Sequence, residues 1–216
     1  MLELTLIQKI AIFALPVIFA ITLHEAAHGY AALKFGDSTA KMLGRITLNP
    51  LKHIDPIGTI LVPALTIMLG GILFGWAKPV PVNFNNLHNP KRDMLWVAAA
   101  GPGANLVMAL FWAAVIKLAH LLPASGYSTP MIMMGMAGIT INAVLAALNL
   151  LPVPPLDGGR IAVSLLPPRL AYPLSRVEPY GLFILIALLF TGLLGTLIGP
   201  LYSTIETLAY SIFGLL

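Results

Sequence analysis

Apolar residues run along this chain in long blocks rather than in alternation, and glycine and proline, not polar loops, break the blocks. A bilayer-spanning helix takes about 20 largely apolar residues. Residues 4–23, 94–122, 131–151 and 181–198 meet or nearly meet that length, and 201–216 is a weaker fifth stretch interrupted by Glu206. The pattern predicts an all-α polytopic membrane protein with about 5 to 6 transmembrane helices. With 58% hydrophobic and 9% charged residues among 216, no stretch between the blocks is polar enough for a soluble domain. Residues 1–216 therefore read as a single membrane-embedded domain, with a core over 4–166 and a C-terminal helical hairpin over 179–216. The apolar N-terminus lacks a small-residue cleavage site and leads directly into histidines, so it is not expected to be a removable signal peptide.

Charge sets the expected orientation. Lys34, Lys41, Arg45, Lys52, Lys78, Lys91 and Arg92 lie between the first block and the second, and Arg160, Arg169 and Arg176 follow the third; the connection 123–130 carries no charge. The positive-inside rule makes the basic regions cytoplasmic and 123–130 external. The first helix then runs outside to inside, 94–122 inside to outside, and 131–151 back inward. The net charge of +4 is dispersed beside the blocks, which suits topology determinants and not nucleic-acid binding. The apolar segment 57–76 lies between Lys52 and Lys78, both on the cytoplasmic side by this reading. A single crossing there would break the parity, so the segment is expected to be re-entrant, turning near Pro63 or Gly70-Gly71 with protein shielding its backbone from lipid; the plain alternative is an ordinary span with a misread charge bias.

The first block ends in His24-Glu25-Ala26-Ala27-His28. Residues four apart share a helix face, so both imidazoles can reach one ion, and Glu25 is placed to act as general base toward water on it. A charged site in lipid costs about 2.5 to 3.5 kcal/mol even on the mildest scale, which argues for function there. His28 precedes Lys34 by six residues, which at 1.5 Å per residue puts it roughly 9 Å inside the cytoplasmic interface. Without cysteine the chain has no disulfides or thiolate ligands, leaving His, Asp and Glu for metal chemistry. A catalytic zinc takes three protein ligands and one open position.

Asp157 is the leading candidate for the third ligand. It follows Pro152, Pro154 and Pro155, which end the preceding helix, and precedes Gly158-Gly159, which permit close backbone approach. The plain alternative is that Asp157 caps a helix over 158–166. His53, His88 and His120 lie in connections or near block ends and read as hydrogen-bonded or solvated, and Asp55 before Pro56 as turn chemistry. A two-metal site would need more carboxylates than the chain offers.

Three separated motifs now resemble the site-2 protease family, zinc metalloproteases that cut membrane-spanning helices. His24 to His28 resembles its HExxH, Gly101-Pro-Gly-Ala-Asn105 its GxxxN, and Asn149-Leu-Leu-Pro152-Val-Pro154-Pro-Leu-Asp157-Gly158 its NxxPxPxLDG. The match covers residues 4–166. The resemblance implies that His24, His28 and Asp157 bind one Zn2+ per chain and that Glu25 activates water. It further implies that Asn149 and Asn105 position substrate or steady an oxyanion; helix-to-helix hydrogen bonding is the plain alternative for both. Gly75 to Val82 resembles the family's membrane-associated strand, whose edge could hold an unwound substrate by β-augmentation. No inserted PDZ-like domain and no CBS-type nucleotide-sensing pair is expected.

The function expected is intramembrane proteolysis of single-span membrane proteins, from a multi-pass protein of the cell's inner membrane with its active site toward the cytoplasm. The lipid bilayer is the other expected partner, with no nucleic acid. The C-terminal hairpin, rich in glycine, is expected to gate lateral access. Two rivals stand beside this reading. An ion-coupled transporter or channel would also use broken helices and intramembrane charge, but it predicts an inverted repeat that the sequence lacks. A catalytically inactive helix-binding homologue would have lost a catalytic position, and none is missing.

Overall fold

The computed structural model describes residues 5–62, 75–123 and 126–216, together with Leu65 and Met68. Its main helices are α1 (Leu6–Lys34), α2 (Thr39–Met42), α3 (Pro90–Leu121), α4 (Ser128–Asn149), α5 (Asp157–Leu165), α6 (Pro168–Ser175), α7 (Gly181–Phe190) and α8 (Leu193–Ile212). The protein is all-helical, and no strand occurs among the described residues. Thr5 opens α1 with a reciprocal cap: its hydroxyl accepts from the Gln8 amide, and the Gln8 side chain accepts from the Thr5 amide.

Four helical stretches among the described residues are long and apolar enough to cross a membrane: Ile7–Lys34, Pro90–Leu121, Ser128–Asn149 and Pro168–Phe190. The sequence expectation of five to six counted 201–216 and placed a span at 181–198. Gly192, with φ of 75°, separates α7 from α8, and the fourth candidate span is Pro168–Phe190. Helix α8 is long, but Glu206 and its neighbouring Tyr, Ser and Thr residues dilute its apolar character, and it is not among the four.

Helices α3 and α4 form the tightest pair, α1 packs against both, and α8 covers α4. Small residues permit this closeness. A Cβ at Gly138 would collide with the Trp112 ring, and one at Gly135 with Ile116. Trp112, Ala113, Ile116, Ile139 and Ala209 make one buried cluster across α3, α4 and α8.

The expected turn of the 57–76 segment, at Pro63 or Gly70-Gly71, lies outside the described residues. Its two ends are described, and they meet. The Trp76 amide donates to the Gly58 carbonyl at 3.0 Å, and the Thr59 hydroxyl to the Trp76 carbonyl at 3.0 Å. The two described ends of the segment therefore lie at one place. Asp55 is the turn residue expected, accepting from the amides of Ile57 and Gly58.

Residues 75–83 have no regular secondary structure, which corrects the expected strand. The physical reason lies in their bonds. The Lys78 amide donates to the His53 carbonyl, the Val80 amide to Glu25, and the Asn83 amide to Asp37, while the Arg45 guanidinium donates to the carbonyls of Lys78 and Pro79. Pro79 and Pro81 have no amide hydrogen to give a ladder. Side chains and loops take the polar groups that a strand would use.

Candidate metal centre

Helix α1 carries His24 and His28 on one face, and α5 brings Asp157 to them. The two histidine Nε2 atoms are 3.0 Å apart, and each lies 3.3 Å from Asp157 Oδ2. These are the His, Asp or Glu groups that cluster as possible metal ligands among the described residues. Asp157 is the first residue of α5, not its cap; the N-cap is Leu156, and no side chain caps the helix. The capping alternative is therefore excluded. Glycine puts Asp157 in place. A Cβ at Gly158 would collide with the Leu150 carbonyl, and one at Gly159 with the Pro154 backbone, so only glycines let α5 press against that turn.

The hydrogen bonds on the far side of each imidazole decide what faces the centre. His28 Nδ1 lies 2.7 Å from the Val97 carbonyl oxygen, which can only accept, so in the neutral ring Nδ1 carries the proton and Nε2 a lone pair. His24 Nδ1 lies 2.6 Å from Asn105 Oδ1 and takes the same tautomer. Two nitrogen lone pairs thus converge with a carboxylate oxygen. Asp157 Oδ2 is buried and takes no hydrogen bond among the described residues.

Three electron-pair donors held together with no proton between them are mutually repulsive unless a cation joins them. A tetrahedral Zn2+ with bonds of about 2.0 to 2.1 Å sets its ligand atoms about 3.3 Å apart, close to the spacing here. The donor set, two imidazoles and one carboxylate, also suits zinc. Gly101 brings α3 so close to the two histidines that a Cβ there would collide with both rings.

Glu25 lies on α1 between the two histidines and is partly exposed. Its Oε2 accepts from the Val80 amide at 2.7 Å, while Oε1 takes no bond among the described residues.

The two asparagines fall in different places. Asn105 is fully buried behind His24, and its amide nitrogen donates to the Ala20 carbonyl at 3.2 Å and to Asn142 Oδ1 at 2.9 Å. Both of its donors are engaged, so it has none to offer an oxyanion, and the helix-to-helix bonding considered for it is what the structure contains. Asn149 ends α4 and donates to the Leu145 carbonyl at 3.0 Å; no hydrogen bond joins it to the three-residue cluster among the described residues. His53 is buried with Nε2 on the Thr47 carbonyl, a bonded histidine as expected. The sequence reading missed Asn142 and the Val80 amide. A lone amide in the middle of an apolar block was a usable signal for the first; nothing marks a backbone donor in a proline-rich segment.

A three-ligand cluster formed by a membrane-spanning helix and the short helix α5, in a chain with four candidate spans, defines a polytopic membrane metalloprotein. Comparison with known proteins makes the class more specific. Residues 115–192 match the description of Peptidase family M50. The chain is 41% identical over 187 residues to "Putative zinc metalloprotease YwhC" of Bacillus subtilis, an alignment covering 85% of this chain and 82% of that protein. It is 33% identical over 179 residues to "Putative zinc metalloprotease Rip2" of Mycolicibacterium smegmatis, covering 81% of this chain and 64% of that one. A Mycobacterium tuberculosis protein of the same name is 32% identical over 189 residues, covering 85% and 68%. No solved structure matches. The chain belongs to peptidase family M50, the site-2 protease family of membrane zinc metalloproteases.

Proposed function

We propose that this protein is an intramembrane zinc endopeptidase that hydrolyses peptide bonds in the membrane-spanning segments of single-span proteins. The observation that carries the reading is the convergence of bare His24 Nε2, bare His28 Nε2 and orphaned Asp157 Oδ2 one residue away from a carboxylate base. His24, His28 and Asp157 would hold the zinc. Bound there, zinc supplies Lewis acidity toward a scissile carbonyl and an attacking water.

The chain's own groups do the rest. Glu25, held through Oε2 by the Val80 amide, has Oε1 free to take a proton from the attacking water. It returns that proton to the leaving amine nitrogen as the peptide C–N bond breaks. Asn105 acts through His24, as an orienting residue. Asn149, at the end of α4 just before the turn that carries Asp157, would position the substrate chain. The irregular segment 75–83 would serve the reaction through the Val80 amide that holds Glu25. The distribution of basic residues supports an active site toward the cytoplasmic side of the inner membrane.

The test is zinc content and cleavage of a model single-span substrate in detergent, for wild type and Glu25→Gln. About one zinc in both, with cleavage by wild type alone, is the expected result. Zinc in both and cleavage in neither would make the chain a helix binder. No zinc in either would move the reading to an ion pathway.

A further inference from the structure

We propose that Asn142 is a positioning residue for the metal centre: it fixes which way the Asn105 amide faces, and so which nitrogen of His24 is left bare. The proposal rests on the zinc reading above and deepens it by one residue.

The Gly138 carbonyl oxygen can only accept, and it lies 2.8 Å from the Asn142 side chain, so Asn142 must present its Nδ2 there. Its Oδ1 then faces Asn105, which must present Nδ2 at 2.9 Å. Asn105 Oδ1 is thereby turned to His24 Nδ1, 2.6 Å away, and that nitrogen must carry the proton. His24 Nε2, the atom facing His28 and Asp157, keeps its lone pair. Turning either amide over would set acceptor against acceptor. Asn105 and Asn142 are each 0% exposed, so no solvent is at hand to repair such a mismatch.

Without Asn142, the Ala20 carbonyl at 3.2 Å is the remaining acceptor that orients Asn105. A turned-over Asn105 would offer an N–H to His24 Nδ1. The proton of His24 would then move to Nε2 and point into the metal centre, where it excludes a ligand bond. Simple helix association does not account for the arrangement, because the Asn142 donor bonds back within α4, to the residue four before it. That bond adds nothing between helices. What it does is orient the amide.

The experiment uses the full chain with 15N-labelled histidine, zinc-free, at a pH where both imidazoles are neutral. His28 is the internal reference, since its Nδ1 faces the Val97 carbonyl in every variant. Wild type is expected to show the Nδ1–H tautomer at both residues. In Asn142→Ala, His24 should populate both tautomers while His28 does not change, and zinc affinity by chelator competition should fall about 10-fold. Asn142→Leu, which keeps the volume, serves if the alanine variant does not fold. Ile139→Ala loosens the same helix at a fully buried site outside the amide chain and should leave both readouts at wild-type values. An unchanged His24 tautomer, an unchanged zinc affinity, or an equal loss in Ile139→Ala each overturns the proposal. A wild type that binds no zinc overturns the zinc reading instead, and the zinc-free tautomers still decide the role of Asn142.

Discussion

Gly101 on α3 lies against His28 Nε2 so closely that a single added methyl group would collide with it and with the edge of the His24 ring. The rings have nowhere to retreat, because each is pinned through Nδ1, His24 by Asn105 at 2.6 Å and His28 by Val97 at 2.7 Å. Gly101→Ala should therefore lower zinc per chain to near zero and destabilise the fold by about 1 to 3 kcal/mol through overpacking. Two residues along, Gly103 has open space around its Cα. Gly103→Ala should keep its zinc and gain about 0.4 to 1 kcal/mol. Metal analysis of the two purified variants checks the contrast; full zinc in Gly101→Ala would show that the rings are free to move.

The amide of Val80 is the partner of the proposed base, at 2.7 Å from Glu25 Oε2. Val80→Pro deletes that donor and keeps an extended backbone, since Pro81 already restricts residue 80 to extended conformations. Cleavage should fall about 10- to 100-fold with zinc content unchanged, because the base loses its orientation and the ligands do not. Val80→Ala retains the amide and should lose far less. Equal losses in the two variants would assign the effect to the side chain.

Much of this site is legible before the fold, for a physical reason. His24 and His28 sit on one helix, where spacing alone puts them on a common face. Asp157 can be singled out because broken backbone beside a lone carboxylate in an apolar chain is expected around a cavity or a bound ion. Asn105 is legible as a residue near the centre but not as one behind it, since sequence spacing does not say which ring nitrogen an amide meets. The expected strand at 75–82 fails because its ladder groups are taken by Arg45, Glu25 and His53, residues distant in sequence. The expected span over 181–198 stops short because one left-handed glycine, Gly192, decides where α7 ends.

Asp37, just past the end of α1, anchors the loop that leads to α3. It is 0% exposed and accepts from the Thr39 amide and hydroxyl, the Asn86 amide group and the Asn83 backbone. Burial alone would push its carboxyl upward, yet the bonds from Thr39, Asn86 and Asn83 together outweigh that and hold it below the ordinary carboxylate value. A depressed folded-state pKa means the contribution is fully present above the unfolded value, about 3.9, and is lost as pH falls through the lower folded one. Asp37→Ala strands several donors and should cost about 1 to 3 kcal/mol at neutral pH. Thermal melts against pH should show wild type converging on Asp37→Ala below about pH 4; a gap that stays constant to lower pH would show that charge is not its source.

Zinc should reverse the stability order of wild type and Asp157→Asn. Helix α5 packs on α3, whereas the two histidines belong to α1, so an ion held by all three residues ties elements together that are distant along the chain. At a free zinc level 100 times its Kd, the ion adds about 2.7 kcal/mol to wild type. With the ion stripped away, the Asp157 carboxylate is buried against two imidazole lone pairs at 3.3 Å with no donor for Oδ2 among the described residues. Asp157→Asn removes that repulsion and offers an N–H to the same lone pairs, which should stabilise the stripped protein by about 1 to 3 kcal/mol. Melting in chelator, at a pH where both imidazoles are neutral, should therefore place the variant above wild type, and melting in excess zinc should place it below. A variant less stable than wild type in both conditions would mean that the carboxylate is held by something other than a metal, and the proposed centre would lose its third ligand.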